Sequence, residues 1–169
     1  MTITLYAQPY DLAATGFYFE DAETFLAKSQ HLKNEYDQSV EEFEIQFIEG
    51  EDIDGALFKA LGIHEVNVTS YLEHAPQWEE WEKINIVIIA GECGYAFDIE
   101  SDDPDHFGVT VYGVDSLREL AIEFLNDGIF GEIPTHLENY IDIDALAADL
   151  RHDYTETVIA NVPIVYRAD

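Results

Sequence analysis

Six histidines and one cysteine are the side chains best able to hold a transition metal, and their spacing does not suit one. His31, His64, His74, His106, His136 and His152 form no close pair of ligand-like spacing, and Cys93 has no second cysteine beside it. A calcium loop needs acids at positions 1, 3 and 5, a glycine at 6 and a glutamate at 12. A frame opened at Gly50 lacks the first acid and ends on Leu61, and a frame opened at Asp98 puts Asp103 at position 6 and Val109 at position 12. Nucleophilic catalysis finds no Gly-x-Ser-x-Gly, and the acidic neighbour Glu92 disfavours a Cys93 thiolate. The phosphate-cradling patterns Gly-x-x-x-x-Gly-Lys-Ser/Thr and Gly-x-Gly-x-x-Gly are absent as well. Carboxylates are so abundant that no single pair marks a hydrolase, which would need two held about 5–9.5 Å apart in a pocket. No active site and no cofactor are expected.

The abundance of carboxylates is itself the signal. In 169 residues there are 36 Asp and Glu against 7 Lys and Arg, a formal net charge of −29. A nucleic-acid binder needs a basic footprint, and an anionic membrane surface would repel this chain. Disorder, the usual companion of such charge, is opposed by 47% hydrophobic and 13% aromatic content, which is enough for a packed core. The acids are spread along the whole chain rather than gathered in a tail. Duplex DNA carries one charge per ~1.7 Å of axis, so 29 net charges match about 49 Å of duplex, roughly 14 base pairs. Composition by itself leaves two explanations open: a surface that imitates DNA, and a surface adapted to brine.

The N-terminus has neither a basic nor an apolar signal region, the longest apolar run is five residues from Ile86, and the single cysteine cannot form an internal disulfide. A cytoplasmic protein is expected.

The elements that must carry these acids follow from periodicity. Residues 2–8 and 16–19 read as strands, and Asp21 caps a helix to about Lys33 with Ala22, Phe25 and Leu26 facing inward. Residues 43–48 alternate as a third strand. Asp52 or Asp54 caps a helix ended by Gly62, Asn67 starts a short one, and Pro76 opens another carrying Trp78, Trp81, Ile84, Ile88 and Ile89. The run 84–89 is β-branched enough to read as a strand instead. Residues 109–112 form a strand, the helix opened at 115–119 is stopped by Gly128, a short helix is expected around Leu137–Ile141, a further helix runs from Asp142 or Asp144 to about Arg151, and the chain closes on a hairpin turning at Asn161-Val162-Pro163. The fold class is α+β. Three small domains are expected: an α+β domain over 1–51, a mainly helical one over 52–107, and an α+β domain over 108–169.

Residues 128–150 read Gly-Ile-Phe-Gly-Glu-Ile-Pro-Thr-His-Leu-Glu-Asn-Tyr-Ile-Asp-Ile-Asp-Ala-Leu-Ala-Ala-Asp-Leu. This segment resembles the ArdA family of antirestriction proteins, with its Gly-x-x-Gly-Glu-(hydrophobic)-Pro turn, its Leu-x-x-Tyr-Ile-Asp-Tyr helix start and its Ala-Arg-Asp-Leu ending. Gly128, Gly131, Glu132, Pro134, Leu137, Tyr140, Ile141, Asp142, Ala147, Asp149 and Leu150 match; Ile143 replaces the second Tyr and Ala148 the Arg. Residues 3–6 and 16–19 are similar to the family's opening hairpin, without its usual Tyr-Asn-x-Gly and Trp.

The resemblance implies an elongated chain of three small domains that dimerises through its C-terminal region and imitates bent B-form DNA. Its partner would be the DNA groove of a Type I restriction-modification enzyme, with no nucleic acid, membrane or cofactor involved. The expected mimicking surface comprises Glu41, Glu42, Glu44, Glu79, Glu80, Glu82, Asp102, Asp103, Asp105, Asp142, Asp144, Asp149 and Asp153. The expected dimer and motif residues are Leu137, Tyr140, Ile141, Leu146 and Leu150, which as ordinary helix-packing residues would serve the core instead. Trp78 and Trp81 are expected in the core. An inhibitor of another DNA-binding defence system and an acidic chaperone of a basic protein remain the other readings.

Overall fold

The computed structural model describes residues 2–169, and their contacts fall into two compact units, the first ending at His106 and the second spanning Phe107–Asp169. In the first unit, strand β1 (Thr4–Pro9) alternates half-buried and buried residues and lies between β2 (Phe17–Phe19) and β3 (Phe43–Glu49) in an antiparallel sheet of order β2-β1-β3. The register sets Leu5 opposite Phe19 and Phe47, and Ala7 opposite Phe17 and Ile45. Helix α1 (Ala22–His31) starts where Asp21 accepts a hydrogen bond from the Thr24 amide at 2.7 Å, and it lays Phe25 against Phe17, Phe19 and Phe43. Leu26, expected inside, is exposed: the sheet that α1 covers is only three strands wide, and the apolar stripe stops at Phe25.

Helix α2 (Asp52–Ala60) is capped one residue before the first of the two expected caps, Asp52, and three before the second, Asp54. Glu51 is its N-cap, and Asp54 is buried. Helix α3 (Val68–His74) follows, with Val68, Tyr71 and Leu72 inside. A 3₁₀ turn at Ala75–Gln77 holds Pro76, and the chain is extended at Trp78 before helix α4 (Glu80–Ile86) starts. The helix expected from Pro76 is therefore broken, and Trp81 points to solvent. The β-branched run is helical. α4 passes without interruption into a π-helical segment, Val87–Glu92, closed by the Cys93 amide on the Ile88 carbonyl at 2.8 Å. Ile86, Val87, Ile88 and Ile89 are all buried, so these four residues are enclosed on every side before the chain returns to the surface at Gly91 and Glu92, and tertiary burial outweighs the weak strand preference of the run.

The sequence divides the chain at 51/52 as well as at 107/108, whereas the contacts of the first unit run across 51/52. Phe47 on β3 meets Phe58 on α2 at 5.7 Å between ring centroids, and the Phe43 amide donates to Glu65 at 3.0 Å.

The second unit is a sheet of order β4-β6-β5, with β4 (Val109–Tyr112), β5 (Thr155–Ile159) and β6 (Val162–Ala168), covered by α5 (Leu117–Asn126) and α6 (Ile143–Leu150). Its core is Val114, Leu117, Leu120 and Val165, with Tyr112, Phe124, Ala147, Leu150 and Tyr154 packed around them. α5 ends where Gly128 takes φ +72°. The closing turn is tighter than expected. Ala160 and Asn161, at φ +50° and +65°, make a two-residue turn, and Val162 and Pro163 belong to β6. Pro163 fits because β4 pairs β6 only from Val165 to Ala168, so the missing N–H costs no bond there.

Candidate functional surface

Three kinds of local structure hold the expected carboxylates. On β3 the strand period does it: Phe43 and Ile45 point into the core, so Glu44 between them points out, preceded by exposed Glu41 and Glu42. At α4 the helix start does it. Glu79 is the N-cap, Glu80 and Glu82 occupy the first turn, and Glu82 accepts from the Glu79 amide at 2.7 Å. Three negative charges at a helix N-terminus are favoured by the macrodipole. In 98–105 aspartates fold the loop themselves: Asp98 accepts from the Glu100 amide at 3.0 Å, Asp102 from the Asp98 amide at 2.8 Å, and Asp103 from the Asp105 amide at 3.0 Å. The bond to Glu100 is the main reason the Asp98 carboxyl titrates below the ordinary aspartate range.

In the second unit Asp142 caps α6, accepting from the Ala145 amide at 3.0 Å, and Asp144 meets Arg118 at 3.1 Å. Asp149 and Asp153 are exposed. Of the thirteen expected carboxylates, all are exposed except Glu82 and Asp102, which are half-buried. Five of them (Glu79, Glu82, Asp102, Asp103 and Asp142) hold a cap or turn as well, a second duty that the sequence reading did not assign.

The cations do little to offset this surface. Lys33 pairs with Asp37 at 2.6 Å, Arg118 with Asp144, and Arg167 with Asp169 at 2.9 Å. Lys28 donates to the Tyr18 carbonyl at 2.8 Å and lies over the Phe17 ring. Lys83 is buried: its Nζ donates to Asp54 Oδ1 at 2.6 Å with side-chain exposures of 10% and 4%. The pair lines a cavity of about 430 Å³ together with Glu20 and Glu51. Beside it the wholly buried Tyr71 hydroxyl donates to the Asp54 carbonyl at 2.9 Å, and burial raises the Tyr71 pKa. A lysine and an aspartate 29 positions apart give no local pattern, and sequence reasoning missed them.

The motif residues separate into two groups. Leu150 packs on the core of the second unit, and Ile141 and Leu146 are half-buried. Leu137 and Tyr140, in a 3₁₀ segment Thr135–Tyr140, are exposed, Tyr140 to 83%. Ile129 and Phe130 are exposed with them; two apolar residues between Gly128 and Gly131 in a turn were the signal for these. A groove of about 520 Å³ lies alongside, lined by Ile122, Leu125, Ile133, Ile141 and Ile143 among others. Neither the 3₁₀ segment nor α6 has a buried residue.

Among the described residues no helix is long and apolar enough to cross a membrane, and no three His, Cys, Asp or Glu are placed to hold a metal ion. No protein-family model matches this chain, and no curated protein matches it.

Proposed function

We propose that the chain is an antirestriction protein of the ArdA kind, a cytoplasmic, non-catalytic mimic of B-form DNA that competes for the DNA groove of a Type I restriction-modification enzyme. The observation that carries this reading is that exposed carboxylates are presented by strands, helix starts and loops of both units, while five of the seven cations are paired or turned onto the protein itself. Lysines and arginines of a DNA-binding groove recognise phosphates chiefly through charge, and a carboxylate offers them the same acceptor. In this reading the protein acts as a homodimer of two-unit chains. The exposed Leu137 and Tyr140, with Ile141 and the neighbouring groove, are its self-association face, whereas Leu150 serves the core.

Competition with duplex DNA across a panel of DNA-binding enzymes tests the proposal. The chain should displace duplex from a Type I enzyme, and salt should weaken it. Because the energy is spread, Glu80→Gln alone should cost about 0.2–1 kcal/mol. Neutralising Glu41, Glu42, Glu80, Asp105, Asp149 and Asp153 together should cost about 1–6 kcal/mol if the six add. A single indispensable acid among tolerant neighbours would instead mark a catalytic protein. Displacement confined to enzymes other than Type I would make the chain an inhibitor of another defence system.

A further inference from the structure

Leu12 is completely exposed, and Tyr36 and Tyr10 are exposed to 73% and 65%. Isolated surface apolar residues are ordinary, but these stand on two loops that are fastened together. The Glu35 amide donates to the Ala13 carbonyl at 2.9 Å, and Asn34 Nδ2 donates to Asp11 Oδ2 at 2.8 Å. The 33–39 hairpin is closed by pairing of Lys33 with Ser39, and Asn34 Oδ1 accepts from the Tyr36 and Gln38 amides at 2.9 and 3.0 Å. Tyr10 continues the strand pairing through its amide on the Glu42 carbonyl at 3.2 Å. The apolar side chains are therefore displayed from an ordered support, which reduces the entropy lost on docking. Exposed Glu35 and Asp37 lie on the 33–39 hairpin, exposed Glu42 is held beside Tyr10 by their backbone bond, and the nearby cation Lys33 is engaged by Asp37.

An apolar centre with a charged rim is the arrangement of an interface hot spot, and the sign of the rim selects a basic partner. We infer that the paired loops 10–14 and 33–39 are an apolar anchor, through which Leu12 and Tyr36 dock on the cationic DNA-binding cleft of the target enzyme. This rests on the reading of the chain as a DNA mimic and adds to it a contact that DNA does not make. A phosphate backbone offers a groove charge and polar oxygens; Leu12 offers it burial of apolar area. The anchor gives the mimic affinity that salt does not screen, and selectivity among grooves that all bind DNA.

Competition of the full-length protein with a labelled duplex for a Type I restriction enzyme, at several salt concentrations, tests the anchor. The double variant Leu12→Ser/Tyr36→Ser should displace duplex about tenfold or more less effectively, the scale expected for leaving one buried leucine side chain unburied. Its dependence on salt should match that of the wild type, because no ionic contact is lost. Circular dichroism and thermal melting should be unchanged, since both side chains face solvent. Asn34→Ala should weaken displacement in the same way, as the residue that positions both loops. Wild-type potency in the double variant would overturn the anchor while leaving the mimic reading intact. A wild type that displaces duplex from no enzyme would overturn both.

Discussion

Lys83 and Asp54 allow a quantitative test of how this fold tolerates its own charge. Their side chains are nine-tenths buried or more and meet at 2.6 Å. Removing one member of such a pair leaves a charge with little water and no counter-charge, and typically costs ~3–5 kcal/mol. The neighbourhood orders the two single variants. Glu20 and Glu51 line the same cavity, so Lys83→Met leaves Asp54 facing carboxylates and belongs at the upper end, about 5 kcal/mol. Asp54→Asn leaves an ammonium near those acids and belongs at the lower end, about 3 kcal/mol. With a urea slope of about 2 kcal/mol per molar, the midpoints should fall by about 2.5 M and 1.5 M. The double variant Lys83→Met/Asp54→Leu should lie within about 1 kcal/mol of the wild type or above it, because neither charge is then buried. Urea unfolding followed by circular dichroism reads all four chains. The two singles change net charge in opposite directions, so general repulsion alone would make Asp54→Asn more stable than the wild type. A stabilised Asp54→Asn, or a Lys83→Met midpoint within about 0.3 M of the wild type, would refute the assignment of a buried, stability-bearing pair.

A methyl group at Gly16 would strike the Ala7 carbonyl oxygen of the central strand and the Tyr6 ring, so Gly16→Ala should destabilise the first unit by ~1–3 kcal/mol, measured by thermal melting. Hydrogen bonds hold the carboxyls of Asp11 (from Asn34 and Ala13), Asp21 (from Thr24) and Asp98 (from Glu100) below the ordinary value of 3.8. A lowered folded pKa contributes stability that is complete above the unfolded value and lost as pH falls through the folded one. The melting temperature should therefore drop more steeply below pH 3.8 in the wild type than in Asp11→Asn/Asp21→Asn, and equal acid slopes would count against these bonds. Tyr140→Glu should shift sedimentation from dimer to monomer with the circular dichroism spectrum unchanged, because Tyr140 contributes little to its own chain's core, and its melting temperature should lose the concentration dependence of the dimer; a wild type that is monomeric at working concentration would remove the dimer from the proposal.

Much of the fold was legible in the sequence because the signals were local. Asp21 sits where its side-chain oxygen can reach the amide three residues on, and it caps α1 as expected. Gly128 stops α5, and the alternation of Phe43, Glu44 and Ile45 fixes which side of β3 faces water. Net charge is a sum over residues and needs no structure, so the exclusion of a basic nucleic-acid footprint followed from counting alone. The errors arose where the deciding contact is distant in sequence. The run 84–89 is helical with Asn85 to Ile89 buried by distant segments, and Trp81 is outside because α4 starts after the extended break at Trp78 rather than at Pro76.

The candidate surface divides in the same way. That this chain carries a large excess of negative charge, spread from end to end and placed beside apolar positions, was decided by the sequence. That Asp54 is inside with Lys83, and that Leu12 and Tyr36 stand on loops fastened to each other, were decided only by the tertiary structure. The reason is range: charge and capping are properties of a residue and its near neighbours, whereas burial and pairing depend on which distant segments the whole core brings together.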